Sequence, residues 1–475
     1  MPIGRAILSS VIALSLAACG GGGSSSSGGG GGTGSGGGGT TADCSLSARQ
    51  DWALGELNEW YLFPNLLDTT VNKAGFSAVQ SYIDALVAPA RAQNRDRFFT
   101  YLTSIQEEND LIANGSNAGF GVRLSYDITA RRVFVVEAFE TAPAFAQGID
   151  RGSEIIAING TTVSSIMAAN PGNPAGAVSD ALGPTQPGVT RSLTIRQPDS
   201  SQFTVDVTKA DYALDPISDR YGALILDNGG TKVGYINLRT FIIQDASNQL
   251  RQAFDQFRQQ GIEQIILDLR YNGGGLVSVA ELLGDLLGAD KNGQIFSKTI
   301  FRSSKSVNDD TKLFETQTQA IAAAKLAIIG TRSTASASEL VPNSFIPYLG
   351  NNIALIGTDT YGKPVGQIAR DRSACDDRLR LVAFRTVNSN DGGDYYDGLA
   401  SVMPRTCSAS DDYLKPLGDP QEASIATALD FLAGRSCTAI SAAAQSTAVQ
   451  DEGSLRELMQ STQPSAAQVN TPGLF

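Results

Sequence analysis

Histidine is absent from the 475 residues of the sequence. A Ser-His-Asp triad is therefore excluded on any fold, because its general base is an imidazole. Histidine is also the commonest protein ligand of catalytic zinc and non-haem iron, so we expect neither a metal site nor a cofactor. A serine nucleophile in this chain would need a different base.

Other features are scarce as well. Basic residues are outnumbered, 36 against 48 acidic ones, which gives a net charge of −12. This balance argues against nucleic acid as a partner and against electrostatic docking onto anionic lipid. The sequence has no G-x-S-x-G elbow and no lysine three residues after a serine, so the esterase and penicillin-recognising signatures are missing.

The first residues have the pattern of an export signal. Arg5 precedes a short apolar run that is too short to span a bilayer, and the segment Leu16–Cys19 ("LAAC") resembles the bacterial lipobox. That resemblance implies a signal peptide over 1–19 and a lipidated Cys19, with plain secretion as the alternative. Residues 20–43 are Gly/Ser-rich and predict a flexible linker. Gly20 directly after the cysteine implies the outer membrane of a Gram-negative cell, facing the periplasm or the surface, with membrane contact only through the lipid.

Four cysteines besides Cys19 stand in the chain: Cys44, Cys375, Cys407 and Cys437. An even number in an exported protein predicts two disulfides, and three pairings are possible. We expect Cys375–Cys407 within one domain and Cys44–Cys437 between the ends of the chain.

The apolar periodicity divides the rest of the sequence. Residues 44–114 show helical spacing and predict a small helical N-terminal domain without chemistry of its own. Residues 115–210 read as short strands, and residues 211–438 alternate strand with helix, which predicts a βαβ-type layered domain. The polar segment 439–475 predicts a loosely ordered C-terminal tail.

The β region resembles a PDZ domain. "GFGV" stands where PDZ domains keep their carboxylate-binding loop, and "GIDRGSEIIAINGTTV" (148–163) matches their strand–turn–strand, with Ser153 where an acid is usual. The resemblance implies a peptide-binding loop whose N–H groups hold a terminal carboxylate while the peptide adds as a strand. The loop residues are Gly119, Phe120, Gly121 and Val122. A β-domain that binds nothing is the alternative.

Three short motifs follow strands in the layered domain: "LDLRYNGGG" (267–275), "STASASEL" (333–340) and "TYGKPVGQ" (360–367). Each alone has a plain explanation, namely a tight glycine turn, a capping box that starts a helix, and a solvated lysine. Together they fit a nucleophile site. At a helix start, the hydroxyl of Ser336 would stand beside the N–H of Ala337, and a glycine N–H could be the second oxyanion donor. A neutral Lys363 could act as the base if burial lowers its pKa from about 10.4.

The three motifs in this order resemble the C-terminal processing (tail-specific) peptidases of family S41, over residues 115–435. The resemblance implies Ser336, not Ser338, as nucleophile, Lys363 as base and Gln367 as the residue that orients the lysine. It assigns the oxyanion donors to Ala337 and Gly274. The implied fold is α+β multidomain, with the helical N-terminal domain, the PDZ-like domain and a ClpP/crotonase-like α/β protease core. Pro364 departs from the family's usual glycine after the lysine.

These residues favour an exported serine endopeptidase that cleaves proteins or peptides through an acyl-enzyme, with PDZ recognition of substrate C-termini. The alternative is a catalytically silent PDZ-containing envelope scaffold or peptide-binding lipoprotein. No motif supports a third reading, a small-ester hydrolase.

Overall fold

The computed structural model describes residues 43–441, 456–462 and 464–475. The predicted signal peptide, Cys19 and residues 20–42 of the predicted linker lie outside the described residues. Within the described ranges, no helix is both long and apolar enough to cross a membrane.

The helices lie in every part of the described chain. They are α1 (Leu46–Trp60), α2 (Val79–Leu86), α3 (Ala88–Arg91), α4 (Ile105–Asn114), α5 (Pro143–Ala146), α6 (Val163–Ala169), α7 (Pro174–Leu182), α8 (Ala246–Gln259), α9 (Val277–Leu287), α10 (Ala337–Leu349), α11 (Ala423–Leu432) and α12 (Ala466–Asn470).

The strands of the described residues form four sheets. They are β1 (Tyr101–Ser104), β2 (Ser116–Gly119), β3 (Val122–Asp127), β4 (Arg132–Ala138), β5 (Glu154–Ile158), β6 (Thr161–Thr162), β7 (Thr190–Arg196), β8 (Gln202–Thr208), β9 (Ala210–Ala213), β10 (Ala223–Asn228), β11 (Thr231–Asn237), β12 (Gln264–Asp268), β13 (Ile295–Phe301), β14 (Asp310–Leu313), β15 (Lys325–Gly330), β16 (Ile353–Gly357), β17 (Val365–Arg372), β18 (Asp377–Val387), β19 (Thr406–Ser408) and β20 (Arg456–Leu458).

The layered domain is built on a six-stranded sheet of order β10-β11-β12-β15-β16-β19. All neighbours in it are parallel except β10 and β11. Helices α8, α9 and α10 bury their apolar sides in the core on one face, and α11 covers the other. The central strands are apolar on both faces, as expected for parallel strands covered by helices. The predicted alternation of strand and helix is confirmed.

The β region forms a seven-stranded sheet of order β20-β3-β4-β5-β7-β8, with β6 beside β5. Its hydrophobic core is made by apolar residues of these strands and of α6 and α7. Strand β20 lies far away in sequence and pairs antiparallel with the edge of β3.

The N-terminal helices share a hydrophobic core with strands β17 and β18. Apolar residues of α1 and α2 pack with those of β17 and β18 in one cluster. Strand β1 also pairs with β18, in the sheet β1-β18-β13-β14. We expected residues 44–114 to be a helical domain by itself; in the structure, its apolar side is buried by strands from more than 250 residues later in the sequence.

The C-terminal segment differs from the expectation of a loosely ordered tail. Residues 456–462 and 464–475 contain β20 and α12. The side chains of Met459, Ala466, Ala467, Leu474 and Phe475 are buried. The composition of this segment is polar, but other parts of the chain supply the apolar surface against which these few side chains pack.

The predicted disulfide pairing is wrong. The structure joins Cys44 to Cys375 and Cys407 to Cys437. The N-terminal segment runs past the turn between β17 and β18, where the main-chain oxygen of Asp43 accepts a hydrogen bond from Arg372. Cys437 lies beside β19, because Ser408 N donates to Thr438 O at 2.7 Å. Both contacts depend on tertiary packing that cysteine spacing does not reveal.

Peptide mapping of the non-reduced protein should recover the Cys44–Cys375 and Cys407–Cys437 links. Because the first bridge closes a loop of 331 residues and the second one of 30, chain entropy predicts that Cys44→Ser/Cys375→Ser loses more stability than Cys407→Ser/Cys437→Ser, within a range of about 2–5 kcal/mol. Thermal melts of the two double variants measure this difference. A cross-linked Cys375–Cys407 peptide would contradict the pairing.

Candidate active site

The nucleophile candidate lies on the turn between β15 and α10. Strand β15 is central in the parallel sheet, and ligands of such sheets bind beyond the carboxyl ends of the strands. Thr334 fixes this turn, since its hydroxyl accepts from Thr331 N and donates to Leu269 O at 2.8 Å. Ser336 then adopts a φ of 59° directly before the helix. A left-handed serine is strained, and strained residues concentrate at functional sites.

The two serines of the motif have different environments. Ser338 is fully buried, and its hydroxyl donates to Asn272 O at 2.9 Å. Ser336 is partly exposed at the start of α10. Only Ser336 is therefore accessible to a substrate, whereas Ser338 holds the turn against the strand end that carries Asn272.

The oxyanion candidates are both next to Ser336. Ala337 is the first residue of α10, where N–H groups have no acceptor within the helix. Gly274 is in contact with the turn: a methyl group at its Cα would lie 2.8 Å from Ser336 Cβ and 3.0 Å from Ala337 N. However, Gly274 N donates to Asn272 Oδ1 at 2.9 Å. The predicted donor is thus in place, but its N–H is engaged by a side chain that the sequence did not single out.

A buried ion network supports this glycine turn. Arg270 is fully buried and bonds Asp268 at 3.0 Å and Glu422 at 2.8 Å. Asp268 also accepts from the hydroxyl of Tyr235 at 2.8 Å. The Asp-Leu-Arg part of the first motif therefore anchors the turn and does not face the nucleophile.

Glu339 connects the nucleophile turn to the lysine loop. Its carboxylate is fully buried and accepts four hydrogen bonds. One oxygen receives Ser336 N at 2.9 Å and Lys363 N at 2.7 Å, and the other receives Thr360 Oγ1 at 2.6 Å and Gly362 N at 2.7 Å. Burial nevertheless raises the pKa of Glu339 to about 7. The sequence suggested only a capping role for this residue, and its spacing gave no signal for the second pair of donors.

Lys363 is partly buried beside Gln367. Its Nζ donates to Gln367 Oε1 at 2.7 Å and lies 4.8 Å from the ring centre of Phe99. Loss of hydration lowers the pKa of Lys363 to about 8, although the negative charges of Asp96 and Glu339 oppose this shift. The lysine is therefore much closer to neutrality at physiological pH than a free one.

The N-terminal segment forms one wall of the lysine site, which the sequence did not predict. Gln367 Nε2 donates to Phe99 O. Asp96 is buried and is bonded by the hydroxyls of Tyr61 and Thr100. The residues before β1 thus supply both the apolar ring and the nearby charge that set the pKa of Lys363.

The structure brings Ser336, Lys363 and Gln367 together at one edge of the parallel sheet. Among the hydrogen bonds of the described residues, none joins the Ser336 hydroxyl to the Lys363 amine. Their main chains are side by side, because both N–H groups donate to the same oxygen of Glu339. The Lys363 amine is instead hydrogen-bonded to Gln367 Oε1.

The loop of Gly119, Phe120, Gly121 and Val122 is occupied by the last residue of the sequence. Gly121 N and Val122 N donate to the main-chain oxygen of Phe475 at 2.8 and 3.2 Å, and Phe475 N donates to Val122 O at 2.9 Å. The Phe475 side chain is buried in the core of the β region. The loop thus holds a peptide segment in this structure, and that segment is part of the chain itself.

Glu339→Gln should destabilise the protein by about 1–3 kcal/mol, because an amide leaves two of the four donors facing its NH₂ group. Urea unfolding followed by circular dichroism measures this loss. The control is Glu263→Gln at an exposed position, for which we expect a change within about 0.5 kcal/mol. Equal stabilities for the two variants would show that Glu339 does not tie the site together.

Part of the chain is similar in sequence to a known family of peptidases. Residues 232–395 match the model of peptidase family S41. The carboxyl-terminal-processing protease of Picosynechococcus sp. PCC 7002 is 28% identical over 254 residues, which are 53% of this chain and 55% of that protein. The chloroplastic C-terminal processing peptidase of Tetradesmus obliquus is 28% identical over 275 residues, 54% of each protein. The chain thus spans about half the length of these curated relatives.

A crystal structure from Bacteroides fragilis, described as that of an S41 protease, has a similar fold. It superposes with a TM-score of 0.62 at 23% identity, covering 81% of this chain and 97% of that one. This likeness supports the mixed α/β fold. In sequence, residues 232–395 of this chain are similar to peptidase family S41.

Proposed function

We propose that this protein is a serine endopeptidase that works through a Ser336/Lys363 dyad. The observation that carries the proposal is the buried carboxylate of Glu339, which aligns the main chains of both residues, together with the lowered pKa of Lys363. The two curated relatives are named as carboxyl-terminal processing peptidases, which supports a protein or peptide as substrate.

The reaction uses each residue in a defined role. Neutral Lys363 takes the proton of Ser336 Oγ as the oxygen attacks the peptide carbonyl, and it passes that proton to the leaving amine. Water then hydrolyses the acyl-enzyme. Gln367 holds the lysine amine between these steps. The N–H of Ala337 stabilises the oxyanion, and that of Gly274 joins it once it turns away from Asn272.

We further propose that the β region acts as a PDZ domain for substrate C-termini. Its loop presents two N–H groups to a main-chain oxygen, and the edge of β3 accepts a peptide strand. This arrangement is that of β-strand addition. The ligand seen in the loop belongs to this chain, so binding of a separate peptide is part of the proposal.

Export to the cell envelope, with a lipid at Cys19, completes the proposal. The lipobox-like segment supports it, and so do the two disulfides, because disulfides persist mainly outside the cytoplasm. The competing function is a silent peptide-binding lipoprotein; an engaged Gly274 N–H and an occupied loop are the observations in its favour.

A fluorophosphonate probe should label Ser336 in the purified protein without its predicted signal peptide and linker. We expect Ser336→Ala to abolish labelling and Lys363→Ala to slow it by a factor of about 10²–10⁴, the usual contribution of general-base catalysis. Ser338→Ala is the matched control for the serine; it should lower stability but keep the labelled site. Labelling that persists in Ser336→Ala would assign the nucleophile elsewhere, and no labelling from pH 6 to 10 would favour the silent lipoprotein.

The labelling rate should rise with pH and level off above about pH 8, the pKa of Lys363. Only the neutral amine accepts a proton, so below this pKa the rate falls about tenfold per pH unit. Below about pH 7 the fall should steepen, because protonation of Glu339 removes a charge that aligns both main chains. Glu339→Gln should lose this steeper part and should also be labelled more slowly at every pH, because its neutral side chain lacks the charge throughout. A flat profile from pH 6 to 10 would exclude Lys363 as the base.

A further inference from the structure

The open edge of β3 is filled along its length by the C-terminal segment of the same chain. Strand β20 pairs with Ser125, Tyr126 and Asp127. After the excursion through α12, the segment returns to the other half of the strand, where Leu124 N donates to Gly473 O at 2.8 Å and Leu474 forms a bridge to Arg123. Both pieces run antiparallel to β3, so together they form an interrupted extra strand.

Side chains of residues 464–475 anchor the second half of the segment. Phe475 is 3% exposed and lies in one core with Phe120, Val122 and Leu124. Gln468 is buried; its Nε2 donates to Leu474 O at 2.8 Å, and its Oε1 accepts from Thr185 Oγ1 at 3.2 Å. The position of residues 471–475 is thus fixed by polar contacts as well as by the aromatic side chain.

The same segment touches the catalytic half. A methyl group on Gly273 would lie 3.0 Å from Pro472 and 3.2 Å from Asn470 O. The segment therefore contacts both the peptide groove, which is formed by residues 119–122 and the free edge of β3, and the glycine turn of the dyad site.

We propose that residues 456–462 and 464–475 are an internal ligand of the peptide groove, and that any peptide recognised there must first displace them. The inference rests on the proposed peptide-binding function of the β region. The internal ligand also indicates which external ligand fits: a peptide segment with a large hydrophobic residue at the position of Phe475.

The expected size of the competition follows from tethering. A ligand on the same chain acts at an effective concentration of roughly 1 mM. If the groove binds the free peptide at about 10–100 µM, the tethered copy weakens the apparent affinity for an added peptide by about tenfold to a hundredfold. Release of the segment from the groove should restore the full affinity for an added peptide.

The test uses the full chain with Ser336→Ala, so that no hydrolysis takes place, and a fluorescent peptide with the sequence of residues 466–475. Phe475→Asp places a charge in the apolar seat of the segment, and we expect it to bind the peptide at least tenfold more tightly than the parent, by fluorescence polarisation. Phe475→Leu should behave like the parent. Val469→Asp adds the same charge at a residue that is 38% exposed in the same segment, and it should leave binding unchanged.

A second variant should release the segment from the peptide groove without placing a charge in the core. Gly473 has a φ of +81°, and a Cβ there would lie 3.2 Å from Leu124 O. Gly473→Val is strained at this φ whatever the space, so it should tighten peptide binding as Phe475→Asp does. Equal binding by the parent and both variants, or no binding by any of them, would overturn the inference.

The outcome is separable from that of the proposed peptidase function. With Ser336 intact, Phe475→Asp should lower KM about tenfold for a peptide substrate that ends in Leu-Phe, and it should leave KM unchanged for one that ends in Leu-Asp. Unchanged KM for both substrates, with labelling of Ser336 intact, would overturn the internal ligand and keep the peptidase. Loss of labelling at Ser336, together with tighter peptide binding by Phe475→Asp, would overturn the peptidase and keep the internal ligand.

Discussion

The buried carboxylate of Glu339 is the contact on which the site depends. A carboxylate without solvent is costly unless hydrogen bonds replace its hydration, and Glu339 receives four of them, three from main-chain N–H groups. Two of these N–H groups belong to Ser336 and Lys363. Removal of the charge would leave donors on both loops without an acceptor, so the carboxylate holds the two loops in register. Burial opposes this arrangement, as the raised pKa of Glu339 shows.

The N-terminal helices border the lysine of the proposed dyad. A lysine base has to lose hydration to become neutral near physiological pH. The ring of Phe99 covers the amine of Lys363, and Phe99 O holds Gln367. These residues can serve only if their segment is fixed against the strand that carries Gln367. The shared core of α1, α2, β17 and β18 provides that fixation.

The sequence was sufficient where local pattern and topology determine the outcome. Ser336 and Lys363 follow neighbouring parallel strands, and the carboxyl ends of such strands meet at one edge. The sequence was insufficient where the structure depends on contacts between segments that are distant along the chain. The cysteine pairing, the wall built by Phe99 and the engagement of Gly274 by Asn272 are all of this kind. The C-terminal segment was misjudged for the same reason: its polar composition cannot form a core, but it completes cores that β3 and α4 begin.

The glycine turn is where the groove and the dyad meet. Asn272 O accepts from Ala335 N and from the Ser338 hydroxyl, while its side chain engages Gly274 N. Gly273, between them, is in contact with Pro472 and Asn470. A ligand shifts a conformational equilibrium only by differential contact with its two states. A short external peptide that replaced residues 473–475 would leave the contacts of Pro472 and Asn470 with Gly273 unmatched. Replacement of the segment by an external peptide therefore changes the packing on the glycine turn. Because the N–H of Gly274 in this turn has to rotate to bind the oxyanion, peptide recognition is coupled to catalysis in the proposed enzyme.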